Sequence, residues 1–160
     1  MNTRAVIAAL LFAMAVPSCG RVERAWPDGT RRFEGQLTLS GERDGEWTFY
    51  YPDGSRRESG RYEDGLRVGI WRQWHMDGEL ASEGARVPDP ASGTSPRDGL
   101  WLLHYPDGSL RAKGMYRAGE KVGYWEYYDE DGVAVDAPVL PSMRRALEVE
   151  AQQGRDANGD

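Results

Sequence analysis

The sequence predicts an all-β protein built of tandem hairpins, and three observations carry that prediction. Turn formers are abundant, with 20 Gly and 9 Pro in 160 residues, well above the roughly 12% of an average chain. The triplet Gly-x-Trp recurs at Gly45-Glu46-Trp47, Gly69-Ile70-Trp71, Gly99-Leu100-Trp101 and Gly123-Tyr124-Trp125, in steps of 24, 30 and 24 residues. An Asp-Gly pair follows each of these tryptophans by six residues, at Asp53-Gly54, Asp77-Gly78, Asp107-Gly108 and Asp131-Gly132, with an earlier copy at Asp28-Gly29. Two independent markers in one register indicate a repeat architecture.

The chain opens with a basic Arg4, an uncharged apolar run from Ala5 to Val16, and the small Ser18 directly before Cys19. That layout is a secretory signal peptide over residues 1–18. A spanning helix needs about 20 apolar residues, and this run stops at Pro17, with Arg21 close behind. Cys19 is the single cysteine, which excludes an intramolecular disulfide. Val16-Pro17-Ser18-Cys19 resembles the lipobox of bacterial lipoproteins. The resemblance implies lipidation of Cys19 and, because Gly20 rather than Asp follows it, a place in the cell envelope at the outer membrane. Two or three acyl chains anchor a protein where one binds only marginally. Residues 19–24 then form the lipidated start and a tether.

The repeats occupy residues 25–135. Each Gly-x-Trp opens a short aromatic run such as Trp47-Thr48-Phe49-Tyr50-Tyr51, and aromatics suit a pleated, half-buried surface. Tyr51-Pro52-Asp53-Gly54 and Tyr105-Pro106-Asp107-Gly108 place Pro where φ is preset and Gly where φ turns positive, which reverses the chain. A second strand follows through Arg56 to Tyr62 or Leu110 to Tyr116, containing a further Gly at Gly35, Gly60, Gly84 or Gly114, and Gly41, Gly65 and Gly119 lead back to the next Gly-x-Trp. Each repeat is therefore a hairpin, and successive hairpins pair into one long antiparallel sheet. The six surplus residues of the 30-residue step fall in the Pro/Ser/Gly stretch 87–96, which reads as an inserted surface loop. Beyond Val135 the pattern stops. Ser142 is placed to cap a short helix from Met143 to Glu150, and the small, polar tail to Asp160 reads as disordered.

Gly-x-Trp-x-x-Tyr, Asp-Gly, Gly-x-Tyr and Gly-x-x-x-Gly-x-Trp, taken together, resemble the MORN repeat in its longer bacterial variant, over about residues 25–133. The resemblance implies an elongated single-sheet β-solenoid in which motif glycines permit turns and aromatic side chains stack between repeats. The chain departs from the pattern at Leu37, Gln73 and Arg86, where other copies carry aromatic or apolar residues.

Tyr50, Trp74, His104 and Tyr128, three residues after each motif tryptophan, form a ladder of flat side chains across the sheet. Two readings stand for it: a binding face, or rings stacked on one another as the solenoid core. The companion ladder of Trp47, Trp71, Trp101 and Trp125, with Gly45, Gly69, Gly99 and Gly123, reads as structural, since such rings bury about 150–250 Å² each. Alternation puts His75 and His104, the only histidines, on opposite faces, so they do not read as a metal site. Asp129-Glu130-Asp131-Gly132 and Asp156-Ala157-Asn158-Gly159-Asp160 start like calcium loops but lack the closing Glu.

No nucleophile elbow, phosphate-cradling loop or dinucleotide fingerprint is present in the sequence, so neither catalysis nor a cofactor is expected. A net charge of −6, from 26 acidic and 20 basic residues, argues against nucleic acid. Arg outnumbers Lys 18 to 2, which favours bidentate contacts with carboxylate or phosphate. The resulting expectation is a lipid-anchored envelope scaffold or adaptor that binds the membrane through Cys19 and a protein partner through its repeats. Alternatives are a cytoplasmic toxin-neutralising role, because bacterial chains with such repeats are often named antitoxins, and an aromatic platform for carbohydrate or peptidoglycan. An enzyme would need a site in the loop from Val87 to Pro96.

Overall fold

The computed structural model describes residues 20–136. The signal peptide, Cys19, the helix expected at 143–150 and the tail lie outside the described residues. Ten strands form a single antiparallel sheet whose spatial order is the chain order. They are β1 (Gly20–Ala25), β2 (Arg31–Leu37), β3 (Arg43–Tyr50), β4 (Arg56–Glu63) and β5 (Leu66–Trp74), then β6 (Leu80–Arg86), β7 (Arg97–His104), β8 (Leu110–Arg117), β9 (Glu120–Tyr128) and the short β10 (Ala134–Val135). The tandem-hairpin architecture read from the sequence is the architecture of the protein.

The start of the sheet differs from expectation. Residues 20–24, read as a tether, belong to β1, and Val22 faces Gly35 across the β1–β2 ladder as Trp47 faces Gly60 across β3–β4. Gly20-Arg21-Val22 is thus a worn copy of Gly-x-Trp, hidden because a smaller apolar residue stands where the ring belongs.

The Asp-Gly reversals share one construction. In the first, Gly54 N–H donates to Tyr51 O at 3.0 Å and Tyr51 N–H to Ser55 O at 2.8 Å. This is a turn closed by a left-handed residue, Gly54 at φ +89°, a form that matches the twist of a hairpin. The Asp53 carboxylate accepts from the Ser55 backbone and hydroxyl at 2.8 and 2.6 Å. The return turns at Asp64-Gly65 and Ala118-Gly119 have both central residues at positive φ, the tightest two-residue connection. The inserted loop closes on itself through Asp89 N–H to Thr94 O at 2.8 Å, and its Asp89 carboxylate accepts from Ser92 Oγ at 2.6 Å.

A second irregularity builds the core. Ser59 pairs Arg72 and Arg61 pairs Val68, so Gly60 alone faces Gly69, Ile70 and Trp71. The counterpart shifts fall at Gly35, Gly84 and Gly114. The bulge swings each tryptophan ring back over the facing glycine. The strand glycines thereby acquire a role: Gly35, Gly60, Gly84 and Gly114 make room for a ring.

One face of the sheet therefore holds the motif tryptophans, each at most 6% exposed. Burying a ring of this size is worth roughly 4–6 kcal/mol as an upper bound, which makes this column the main stabiliser of a one-layer fold. Apolar packing forms two clusters, one around Trp47, Phe49, Tyr62 and Trp71, the other around Trp101, Ala112 and Trp125. Between them the middle repeat substitutes Gln73, Ser82 and Arg86.

Candidate binding surface

The Trp face is organised in columns that repeat with the motif. Each indole N–H donates to the carbonyl of the residue after the glycine that its ring covers: Trp47 to Gln36 at 3.0 Å, Trp71 to Arg61 at 3.2 Å, Trp101 to Ala85 at 3.1 Å and Trp125 to Met115 at 3.1 Å. The polar atom of each buried ring is thereby satisfied, as burial demands. Tyr62 meets Trp71 edge to face at 5.0 Å, and Tyr116 meets Trp125 likewise at 5.1 Å.

Above each ring sits a cation from four residues earlier. Arg43 lies 4.9 Å from the Trp47 ring, Arg67 4.2 Å from Trp71, Arg97 4.2 Å from Trp101 and Lys121 4.1 Å from Trp125. The Tyr62 hydroxyl accepts from Arg43 Nη1 and Arg67 Nε, and the Tyr116 hydroxyl from Arg97 Nη1. Such stacking holds a side chain flat while its remaining donors stay available. The sequence reading passed over this column, although a basic residue four before every motif tryptophan is visible in the repeat.

Arg86 explains one departure from the motif. It takes the place of Tyr62 and Tyr116, stands 5.6 Å from the Trp101 ring, and donates from Nη1 to Ser95 O at 2.9 Å. It thus ties the inserted loop to the sheet. Burial, with Arg67 and Arg97 nearby, holds its guanidinium below the usual arginine range. Glu58, 7% exposed, answers the positive charge on the other side, with Arg67 Nη2 at 3.1 Å and Arg57 Nη2 at 3.4 Å.

The ladder of Tyr50, Trp74, His104 and Tyr128 falls by strand alternation on the opposite face. Each rung is partly buried, and none stacks on its neighbour among the described aromatic pairs. Instead Tyr50 and Trp74 are engaged by the preceding repeat and Tyr128 by its own strand. Tyr50 donates to Glu34 Oε1 at 2.6 Å and lies under Arg31, Arg56 stacks on Trp74 at 4.8 Å, and Tyr128 donates to Glu126 at 2.5 Å. The Tyr50 hydroxyl, then Arg21, holds the Glu34 carboxyl below the usual range, while burial and then Glu34 push the Tyr50 hydroxyl up. Tyr128 and Lys113 act alike on Glu126. The structure does not bring the four rungs together into one continuous aromatic surface.

A further column staples repeats to one another. Tyr51 donates its hydroxyl to Trp74 O at 3.0 Å, and Tyr105 to Tyr128 O at 2.9 Å. In the middle repeat His75 Nε2 does the same to His104 O at 3.3 Å. The two histidines meet through a backbone carbonyl, which fixes the His75 tautomer with its proton on Nε2. The Asp129 carboxylate, where a calcium loop was weighed, accepts from the Asp131 and Val133 amides at 3.1 and 2.8 Å; it closes a hairpin turn.

Comparison with known proteins agrees with this geometry. A family model described as MORN repeat variant matches residues 43–64 and 97–118, which are β3–β4 and β7–β8 with the turn after each pair. No curated protein matches the chain.

Proposed function

From the premise that this chain is a MORN-repeat protein, we propose that it is a non-enzymatic scaffold of the bacterial envelope, held to the membrane through lipid on Cys19 and binding a protein partner through its repeat surface. One observation carries the reading. The Trp face presents Arg43, Arg67, Arg97 and Lys121, each stacked on a motif tryptophan, at a regular spacing across β3–β9, an array suited to interface cores, where Arg is enriched. The opposite face has Tyr50, Trp74 and Tyr128 committed to carboxylates and arginines of their own or the preceding repeat, which favours the Trp face over the ladder as the docking side. Val16-Pro17-Ser18-Cys19 supports the anchor, and Gly20 after it the outer membrane.

Intact mass with membrane fractionation, wild type beside Cys19→Ala, tests the anchor. A chain that begins at Cys19, carries acyl mass and sediments with membranes, with Cys19→Ala remaining soluble, is the expected result. A soluble, unmodified chain that still begins at Met1 would overturn the envelope reading and favour a toxin-neutralising one. In-cell cross-linking tests the scaffold: protein adducts at positions on the Trp face are expected, and a chain that yields none is no scaffold.

A further inference from the structure

The first full repeat supplies an internal carboxylate that later repeats lack. Glu58 lies on the Trp face beside Arg67, with Arg57 completing its pairing. One repeat on, Ser82 stands at the position of Glu58 and Ala81 at that of Arg57; one further on, Ala112 stands there. The counterparts of Arg67 are Arg97 and Lys121. Small residues in place of large ones open a cleft of about 610 Å³ whose full charges come from Arg97, Arg111 and Lys121, with no carboxylate in its lining. None of these three cations forms an ion pair among the described residues. This concentration of positive charge is specific, because the chain as a whole carries −6.

We propose that this cleft docks an acidic peptide segment of a protein partner, whose carboxylates take beside Arg97 and Lys121 the place that Glu58 takes beside Arg67. The proposal rests on the scaffold reading and names the chemistry of its partner. Arg97 lies flat on Trp101 and spends one donor on Tyr116, leaving others of its five for a carboxylate. Arg97 and Lys121 lie on strands two apart, roughly 10 Å, and a peptide in the polyproline II conformation, with three residues per turn at about 3.1 Å each, places residues i and i+3 on one side at about that distance. Acidic residues spaced Glu-x-x-Glu therefore reach both cations. Charges stacked on rings and recessed in a cleft suit an inserted side chain better than a flat bilayer surface.

Fluorescence anisotropy of the full chain with a labelled Glu-x-x-Glu peptide, and with the same peptide carrying Gln at both positions, tests this. The Glu peptide binds wild type, more tightly at low salt, and the Gln peptide binds at least about ten-fold more weakly. Ser82→Glu rebuilds the internal carboxylate beside Arg97 and weakens the Glu peptide by a similar factor, with the melting temperature measured beside it to show that the chain stays folded. Arg97→Gln weakens it as well. Equal binding of the two peptides, or binding indifferent to Ser82→Glu, overturns the proposal. So does Arg97-dependent binding of phosphatidylglycerol vesicles without binding of the peptide. Cross-linking in cells separates this from the scaffold reading: a Ser82→Glu chain that keeps every wild-type adduct removes the cleft and leaves the scaffold, whereas a wild-type chain without adducts removes both.

Discussion

The indole of Trp71 lies flat on Gly60, so close that a Cβ built on the glycine would stand 2.4 Å from ring atom Cδ2. Gly60 is not at positive φ, so space alone forbids a side chain. Gly60→Ala must push the ring out of its bulge and break the indole bond to Arg61 O. The expected loss is about 2–4 kcal/mol in urea unfolding. Gly54→Ala, where the obstacle is φ +89° and the nearest atom is 3.5 Å away, should cost only about 1–2 kcal/mol.

Arg67 holds Glu58 against the apolar cluster. Arg67→Met keeps the packing on Trp71 but strips the buried carboxylate of its nearer partner, and a loss of about 2–3 kcal/mol is expected. Glu58→Gln added to Arg67→Met should recover at least about half of it. A double-mutant cycle by chemical denaturation measures the coupling.

Tyr50→Phe removes the hydroxyl that, more than any other group, holds the Glu34 carboxyl low. A carboxyl with a depressed folded pKa contributes stability above its unfolded value, near 4.3, and that contribution disappears as pH falls through the folded value. Tyr50→Phe should therefore cost about 1 kcal/mol at neutral pH, and the gap to wild type should narrow below about pH 4. Thermal unfolding at pH 7 and pH 3 checks the sign.

His75 occupies a column otherwise held by Tyr51 and Tyr105. His75→Tyr retains a donor for His104 O and should shift stability by less than about 0.5 kcal/mol. His75→Phe leaves that carbonyl without its partner and should cost about 1 kcal/mol. The same denaturation assay, run on both variants, decides whether the staple is the hydrogen bond or the ring.

Ala118 sits at φ +49° in its turn, a conformation that Asn tolerates better than Ala. Ala118→Asn should raise stability by roughly 0.5–1 kcal/mol, read as a rise in melting temperature. An unchanged or lower value would mean that the Ala118 N–H bond to Asp98 has been disturbed.

The repeat, the hairpins, the burial of the tryptophans and the position of the inserted loop were all legible, because each leaves a fixed interval between unusual residues. Turn chemistry was equally plain, since Pro52, Asp53 and Gly54 each have a local reason. The sheet's first strand was not legible: Val22 fills the place of a ring, and nothing in a single valine announces it. The role of Gly60 was not legible, because nothing in a strand glycine announces that a ring lies over it. The partners of Tyr50 and Trp74 escaped for a different reason. Alternation fixes the face of a side chain, but its neighbours belong to strands whose register depends on two bulges per repeat. The cation column was recoverable by counting four back from each tryptophan, and the cleft beside it by asking which repeat lacks Glu58.

Strand order that follows chain order also sets how the molecule yields to force. Every strand is hydrogen-bonded only to its neighbours in sequence, so tension applied between β1 and β9 loads one ladder at a time, as in a zipper. Yielding begins at β1, where Val22 supplies less grip than a tryptophan, and proceeds hairpin by hairpin in units of nearly equal strength. The array lengthens in steps and recovers in steps, which makes it a compliant link between whatever holds its two ends.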